Sequence, residues 1–257
     1  MRFLVVYDHI YKTRTANDFF ISGDSGAGYL NPTLLLPDAK TGRRGASNVT
    51  KSGADAWVAW NERWYTMFDL SFTGFLINGD QGPLTNGSIA MYDSFSPDGV
   101  VVTTNHDPVP ERRGDNGAAG VDDAGTPIMH HVTDLPGNVA TAISTIVGII
   151  KADRMKGAGE GVGEGVGEGA GAGTGARVSA RVSARVSERA TAAGAAGAAG
   201  ASFYILRNIL QTATYMVDVA EGAMKVVPGL LFVDPYTMGL LVKCNTGALD
   251  CSASASD

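Results

Sequence analysis

Apolar residues along this chain fall into two alternating patterns. Short runs rich in β-branched and aromatic residues recur at Phe19–Ser22, Phe72–Asn78, Val100–Thr104, Pro127–Val132, Phe203–Leu206 and Leu230–Val233. Each has about the length of a buried strand. Between them lie longer stretches with apolar residues three and four apart. Ala54–Phe68 places Trp57, Trp60, Trp64 and Phe68 on one helical face, where packing against a sheet is the expected role. Asn138–Ile150 starts after Pro136-Gly137, and Thr212–Val226 carries Met216, Val219, Ala220 and Ala223 as a stripe. Strands alternating with helices build parallel βαβ units. Six strand candidates predict an α/β fold with a partial (β/α) barrel-like parallel sheet and flanking helices, an open doubly wound sheet being the alternative. In both, ligand chemistry gathers at the C-terminal ends of the strands.

Residues 157–200 follow neither pattern. Glycine occupies alternate positions in GAGEGVGEGVGEGAGAGTG, a four-residue repeat follows in RVSARVSARVSERA, and AAGAAGAAG closes the segment. Such a stretch cannot bury enough apolar surface to offset the entropy of ordering its glycines, so a disordered low-complexity insertion is predicted. The expected organisation is one α/β domain over 1–156 and 201–245, with a disordered tail at 246–257.

Composition removes several classes of function. The 20 Lys and Arg residues are dispersed in a chain of net charge −6, so the basic patch of a nucleic-acid binder is missing. No apolar run approaches the length of a membrane helix, and MRFLVVYDHIY is too short in its apolar part for a secretory signal. Two cysteines, Cys244 and Cys251, supply neither a disulfide scaffold nor a zinc spacing. No metal or other cofactor is expected, and the oligomeric state is left open.

Polar residues cluster where the strand runs stop. Asp24 and Ser25 follow the first, Asn78 and Asp80 the second, Asn105 and His106 the third. His130, His131 and Asp134 mark the fourth, Arg207 and Asn208 the fifth, and Asp234 the sixth. Carboxylates and imidazoles converging on one rim are what acid/base hydrolysis requires. Asp234 before Pro235 also has the form of a helix N-cap, and adjacent His130 and His131 on a strand must face opposite ways. Arg113-Gly114-Asp115 lies in the Gly-rich loop Glu111–Gly125, where a solvated turn is expected.

The first of these loops, FFISGDSGAGYLNP, admits three readings. Its glycines Gly23, Gly26 and Gly28 do not have the dinucleotide-binding spacing. Ser25 in GDSGA is similar to a nucleophile elbow, and Asp80 with His106 or His131 would complete a triad in chain order. An α/β-hydrolase needs several strands before its elbow, however, and only about twenty residues precede Ser25. In the third reading the loop is a ligand-facing corner: Asn31 caps a helix begun by Pro32, and Tyr29 presents an aromatic face with a polar tip, suited to stacking on a sugar.

GAGYLNP, Gly26–Pro32, resembles the signature of the GxGYxYP family of putative glycoside hydrolases, with Asn31 in the place of the second tyrosine. NDFFISGDSGAGYLNP, WNERWY, FTGFLINGDQGP, GTPIMHHVTDL and LFVDPYTMGLLVK follow in the order of that family's C-terminal domain. The resemblance implies a barrel-like hydrolase domain acting on carbohydrate, usually in secreted bacterial-type proteins. It also implies that this chain is the C-terminal piece of a larger domain, with an acidic segment upstream.

Glycoside hydrolysis needs two carboxylates, about 5 Å apart for retention and about 6.5–9.5 Å for inversion. Asp24 and Asp80 are the catalytic candidates, with Tyr29, His131, Asn78 and His106 as substrate contacts. Three functions follow: a glycoside hydrolase domain, a non-catalytic carbohydrate-binding domain, or a serine esterase using Ser25.

Overall fold

The computed structural model describes residues 2–16, 18–26, 28–36, 53–76, 84–103, 113–116, 119–157, 201–208 and 211–251. The elements are helix α1 (Arg2–Thr13), a 3₁₀ turn (Pro32–Leu35), α2 (Ala54–Met67), strand β1 (Phe72–Leu76), α3 (Asn86–Ala90), β2 (Gly99–Val102), β3 (Arg113–Asn116), β4 (Ala119–Val121), β5 (Pro127–Asp134), α4 (Val139–Gly157), β6 (Ile205–Arg207), α5 (Ala213–Val226) and α6 (Pro235–Asn245). Local chemistry starts several of the helices. Thr85 and Ser88 form a reciprocal capping box at α3, Thr212 accepts from Tyr215 N at α5, and the Asp234 carboxylate accepts from the Tyr236 and Thr237 amides ahead of Pro235 at α6.

The sheet order explains the fold class. Ser22 bridges Thr73 in parallel, β1 pairs with β2, β2 with β5 and β5 with β6, all parallel. The parallel strands therefore lie in space in their chain order, the singly wound order of a (β/α) barrel, and the sheet curls as a half-barrel with flanking helices. A β3–β4 hairpin extends the sheet antiparallel to the first half of β5.

One bulge in β1 sets which residues face which layer. Thr73 pairs with Val100 but Leu76 with Val102, so β1 carries one residue more than its partner over that interval. Phe72 and Leu76 consequently reach opposite faces. Leu76 joins Val100, Val102 and Ile128 beneath Trp57 and Tyr65 of α2, Ile89 of α3, and Tyr92 and Phe95. Phe72 joins Val101 and Met129 beneath Tyr236, Met238 and Val242 of α6. Helices α4 and α5 close on each other over Tyr204 and Leu206 of the β6 segment. Full burial of each such side chain stabilises by about 1.5–3 kcal/mol, which is why the alternation of β2 commits Val100 and Val102 to one face and Val101 to the other.

Several expectations change. The first strand contracts to the Ser22 bridge, and the helix expected after Asn31 is a single 3₁₀ turn. Leu230–Val233 is not a strand: it runs irregularly into the α6 cap, with Leu231 60% exposed. Arg113–Asn116 is a hairpin strand rather than a solvated turn. Of the tryptophan face only Trp57 is core. Its true companions are Asn61 and Tyr65, while Trp60 is half exposed and edge-on to Trp64, which stacks on Phe68. Residues 158–200 and 252–257 lie outside the described residues. Thr246–Cys251 turns back along α6, with Cys244 disulfide-bonded to Cys251 and Leu249 N donating to Lys243 O.

Candidate functional site

The loop after Ser22 sits at the C-terminal end of β1. Ser22 N donates to Phe72 O at 2.9 Å, Gly74 N to Ser22 O, and Ser25 N to Phe75 O. The chain then turns sharply: Asp24, Ser25 and Gly26 all have positive φ, at 47°, 65° and 99°. Two consecutive non-glycine residues in that region persist only when the surroundings hold them. They are held from beneath. Tyr92 Oη donates to Ser25 O at 2.9 Å, and Gly26 packs so close to Asn61 that a Cβ there would lie 2.5 Å from Asn61 Oδ1. Asn61 is itself buried and donates to Trp57 O. At the far end Asn31 Oδ1 accepts from Thr33 N at 2.9 Å. Between these anchors Tyr29 stands 75% exposed.

A charged cluster lies at the same rim. Arg207, last residue of β6, donates from Nε to Asp134 Oδ1 at 2.6 Å and from Nη2 to Asp134 Oδ2 at 2.8 Å, so the pair is bidentate across the ends of β5 and β6. Its guanidinium lies 5.2 Å from the centre of the Phe75 ring, within cation–π range, and the Tyr29 phenol is near enough to act on its charge. His131 Nε2 approaches Asp134 Oδ1 at 3.2 Å, within ion-pair range although not aligned as a hydrogen bond. Asn208 Oδ1 is buried beside them with no hydrogen-bond partner among the described residues. Arg207's hydrogen bonds hold the Asp134 carboxyl below the usual carboxylate range, opposed by partial desolvation. An ionised Asp134 can accept hydrogen bonds from hydroxyl groups but cannot supply a proton near neutral pH.

The candidates read from the sequence are distributed as follows. Tyr29 and His131 stand at this rim with Asp24, which is exposed on the left-handed turn. Asp80, Asn78 and His106 lie outside the described residues. Asp234 does not reach the rim: it caps α6, whose Tyr236 hydroxyl meets Phe20 O and whose Lys243 meets Pro97 O, both ahead of strand starts. Ser25 is fully buried, which denies a substrate access to it. Sequence reasoning placed Asp134, Arg207 and Asn208 at strand ends without giving them roles. The signal that could have promoted Asp134 and Arg207 was their opposite charge at the ends of consecutive parallel strands, although 73 residues separate the pair. Among the described residues no cluster of three His, Cys, Asp or Glu side chains could hold a metal ion.

Neither a curated protein nor a solved structure matches the chain significantly. The profile of one family, the GxGYxYP putative glycoside hydrolase C-terminal domain, matches residues 5–137. That span takes in the left-handed loop, β1, β2 and β5, and with them Tyr29, Phe75, His131 and Asp134, while Arg207 comes from beyond it. The match spans more than half of the sequence, and the chain therefore belongs to the GxGYxYP family.

Proposed function

We propose that this chain binds and hydrolyses a carbohydrate at the C-terminal rim of its half-barrel. The observation that carries the reading is the exposed Tyr29 ring beside the Asp134–Arg207 pair. An aromatic face stacks on the apolar face of a sugar, while a carboxylate and a guanidinium fixed side by side offer acceptors and donors to adjacent hydroxyls. Asp24 and Asp80 are assigned as the catalytic carboxylates. Asp24 follows Ser22 by two residues, and Asp80 follows the end of the neighbouring strand β1 by four. His131, Asn78 and His106 are assigned as substrate contacts.

In this reading one of the two aspartates protonates the glycosidic oxygen while the other acts on the anomeric carbon, directly or through water. Asp134 serves as a fixed acceptor, since its ion pair withholds it from proton transfer. The test is release of reducing sugar from a panel of plant, fungal and bacterial polysaccharides. Turnover of at least one is expected, with loss of more than about a hundredfold in Asp24→Asn. Unchanged turnover in that variant overturns the assignment of Asp24.

A second reading, carbohydrate binding without hydrolysis, is favoured by the same ion pair, because the best-defined carboxylate of the rim is already neutralised. Saturable binding with no turnover across the panel supports it.

A further inference from the structure

A second pair of carboxylates lies away from the rim, at the opposite end of β5. Asp93, in the turn after α3, and Asp122, after β4, both converge on Thr126. Its hydroxyl donates to Asp93 Oδ1 at 2.8 Å and its amide to Asp122 Oδ1 at 2.9 Å. Asp122 Oδ1 also accepts from Ala124 N, and the Asp122 backbone amide donates to Thr126 O. These bonds close the turn that begins β5. Both carboxylates line a cavity of about 280 Å³ together with Asn86, Ile89, Asp123 and Ile128.

We propose that the Asp93–Asp122 pair is a pH-sensitive latch joining the α3 turn to the β4–β5 turn, closed when the two carboxyl groups share one proton and strained open when both are ionised. Both carboxylates reach the same threonine and line the same cavity, and partial burial together with the Asp122 charge pushes Asp93 up to about 7. Two adjacent carboxylates in a half-buried cavity cannot both ionise without repulsion. Among the described residues the neighbouring charges do not cancel it. From the β4–β5 turn Asp123 adds a further carboxylate, and from α3 Asn86 is neutral. From α6 Lys243 acts on Asp122, but it lies 3.8 Å from Asp98 and donates to Pro97 O, so its charge is shared.

The sign follows from linkage. Asp93 has a higher affinity for its proton when folded than when unfolded, so the folded state binds more protons between the two values. Stability is then fully present below about pH 4 as far as this group is concerned, and is lost as pH rises toward about 7. The latch ties down the turn that starts β5, and β5 carries His131 and Asp134 to the rim.

The experiment is thermal unfolding of the full chain from pH 4.5 to 8.5, wild type against Asp93→Asn. The amide can replace the shared proton as a donor to Asp122, so the variant should lose the fall in Tm that wild type shows between about pH 5 and 8, and should melt several degrees higher than wild type at pH 8. The four histidines of the chain are common to both proteins, so the difference isolates the pair. An Asp93→Asn slope equal to that of wild type overturns the proposal. Should the variant not fold, carbon-13 titration of the aspartate carboxyls in the wild-type chain decides the matter. A carboxyl assigned to Asp93 with its midpoint near 7 supports the latch, and one near 4 overturns it.

Discussion

The Tyr92 hydroxyl donates to the carbonyl of Ser25 at 2.9 Å, joining a fully buried ring in the core to a loop 67 residues earlier in the chain. Burial drives the Tyr92 phenol well above its ordinary range, so it remains a donor at any pH the fold survives. Tyr92→Phe should cost about 1–3 kcal/mol, because a carbonyl in a buried turn loses its partner. Gly26→Ala should cost at least as much, since φ of 99° and a Cβ contact of 2.5 Å with Asn61 oppose any side chain. Chemical denaturation of the two variants checks both values.

Asn31 and Tyr29 are two residues apart and should behave oppositely. Asn31→Ala removes the side-chain acceptor of Thr33 N and should destabilise by about 1 kcal/mol. Tyr29→Ala removes an exposed ring and should leave Tm within about a degree of wild type. A differential scanning fluorimetry comparison separates the two.

The Asp134–Arg207 pair is half exposed, with side chains 45% and 36% accessible, so its contribution to stability should be small despite its bidentate geometry. Because the folded state holds Asp134 ionised below its unfolded pKa, that contribution is present above about pH 4 and is lost as pH falls further. Arg207→Gln should therefore leave Tm at pH 7 nearly unchanged and make the acid limb of a Tm–pH curve shallower. A large loss at neutral pH would make the pair structural.

The chain on either side of the low-complexity segment is joined by direct contacts. Asp153 of α4 accepts from Ser202 Oγ at 2.8 Å and from Tyr204 Oη at 2.5 Å, and burial together with this carboxylate raises the Tyr204 phenol to about 12. With this clamp in place, replacing residues 158–200 by a short Gly-Ser linker should preserve cooperative unfolding. Asp153→Ala should lower the midpoint in both forms. Loss of cooperativity on deletion alone would show that the segment is structural.

These particulars show what the sequence could and could not disclose. Strands β1, β2 and β5 were legible because each buries both faces and so reads as a continuous apolar run. Leu230–Val233 has the same composition, but a run of apolar residues does not reveal whether its backbone pairs with a sheet edge. The tryptophan face misled because aromatic residues dominated the helical wheel, while the buried stripe is Trp57, Asn61 and Tyr65, with a polar residue at its centre. Asn61 is there because Gly26 packs against it, a contact between distant segments. The Asp134–Arg207 and Asp93–Asp122 pairs were equally beyond reach, since pairing across β5 depends on sheet order, which the hydrophobic pattern does not fix. The exposure of Tyr29 was legible because an aromatic that follows Gly26 and Gly28 in a polar loop has little core to join.

The most direct test of a carbohydrate site at this rim is the affinity of wild type and Tyr29→Ala, by isothermal titration calorimetry, for whichever polysaccharide of the panel binds wild type best, measured with both proteins shown to be equally stable. Loss of one ring–sugar stack should weaken binding by about 1–2 kcal/mol, roughly five- to thirtyfold, with Tm unchanged. Equal affinity of the two proteins, or no saturable binding of any polysaccharide by wild type, would contradict the site.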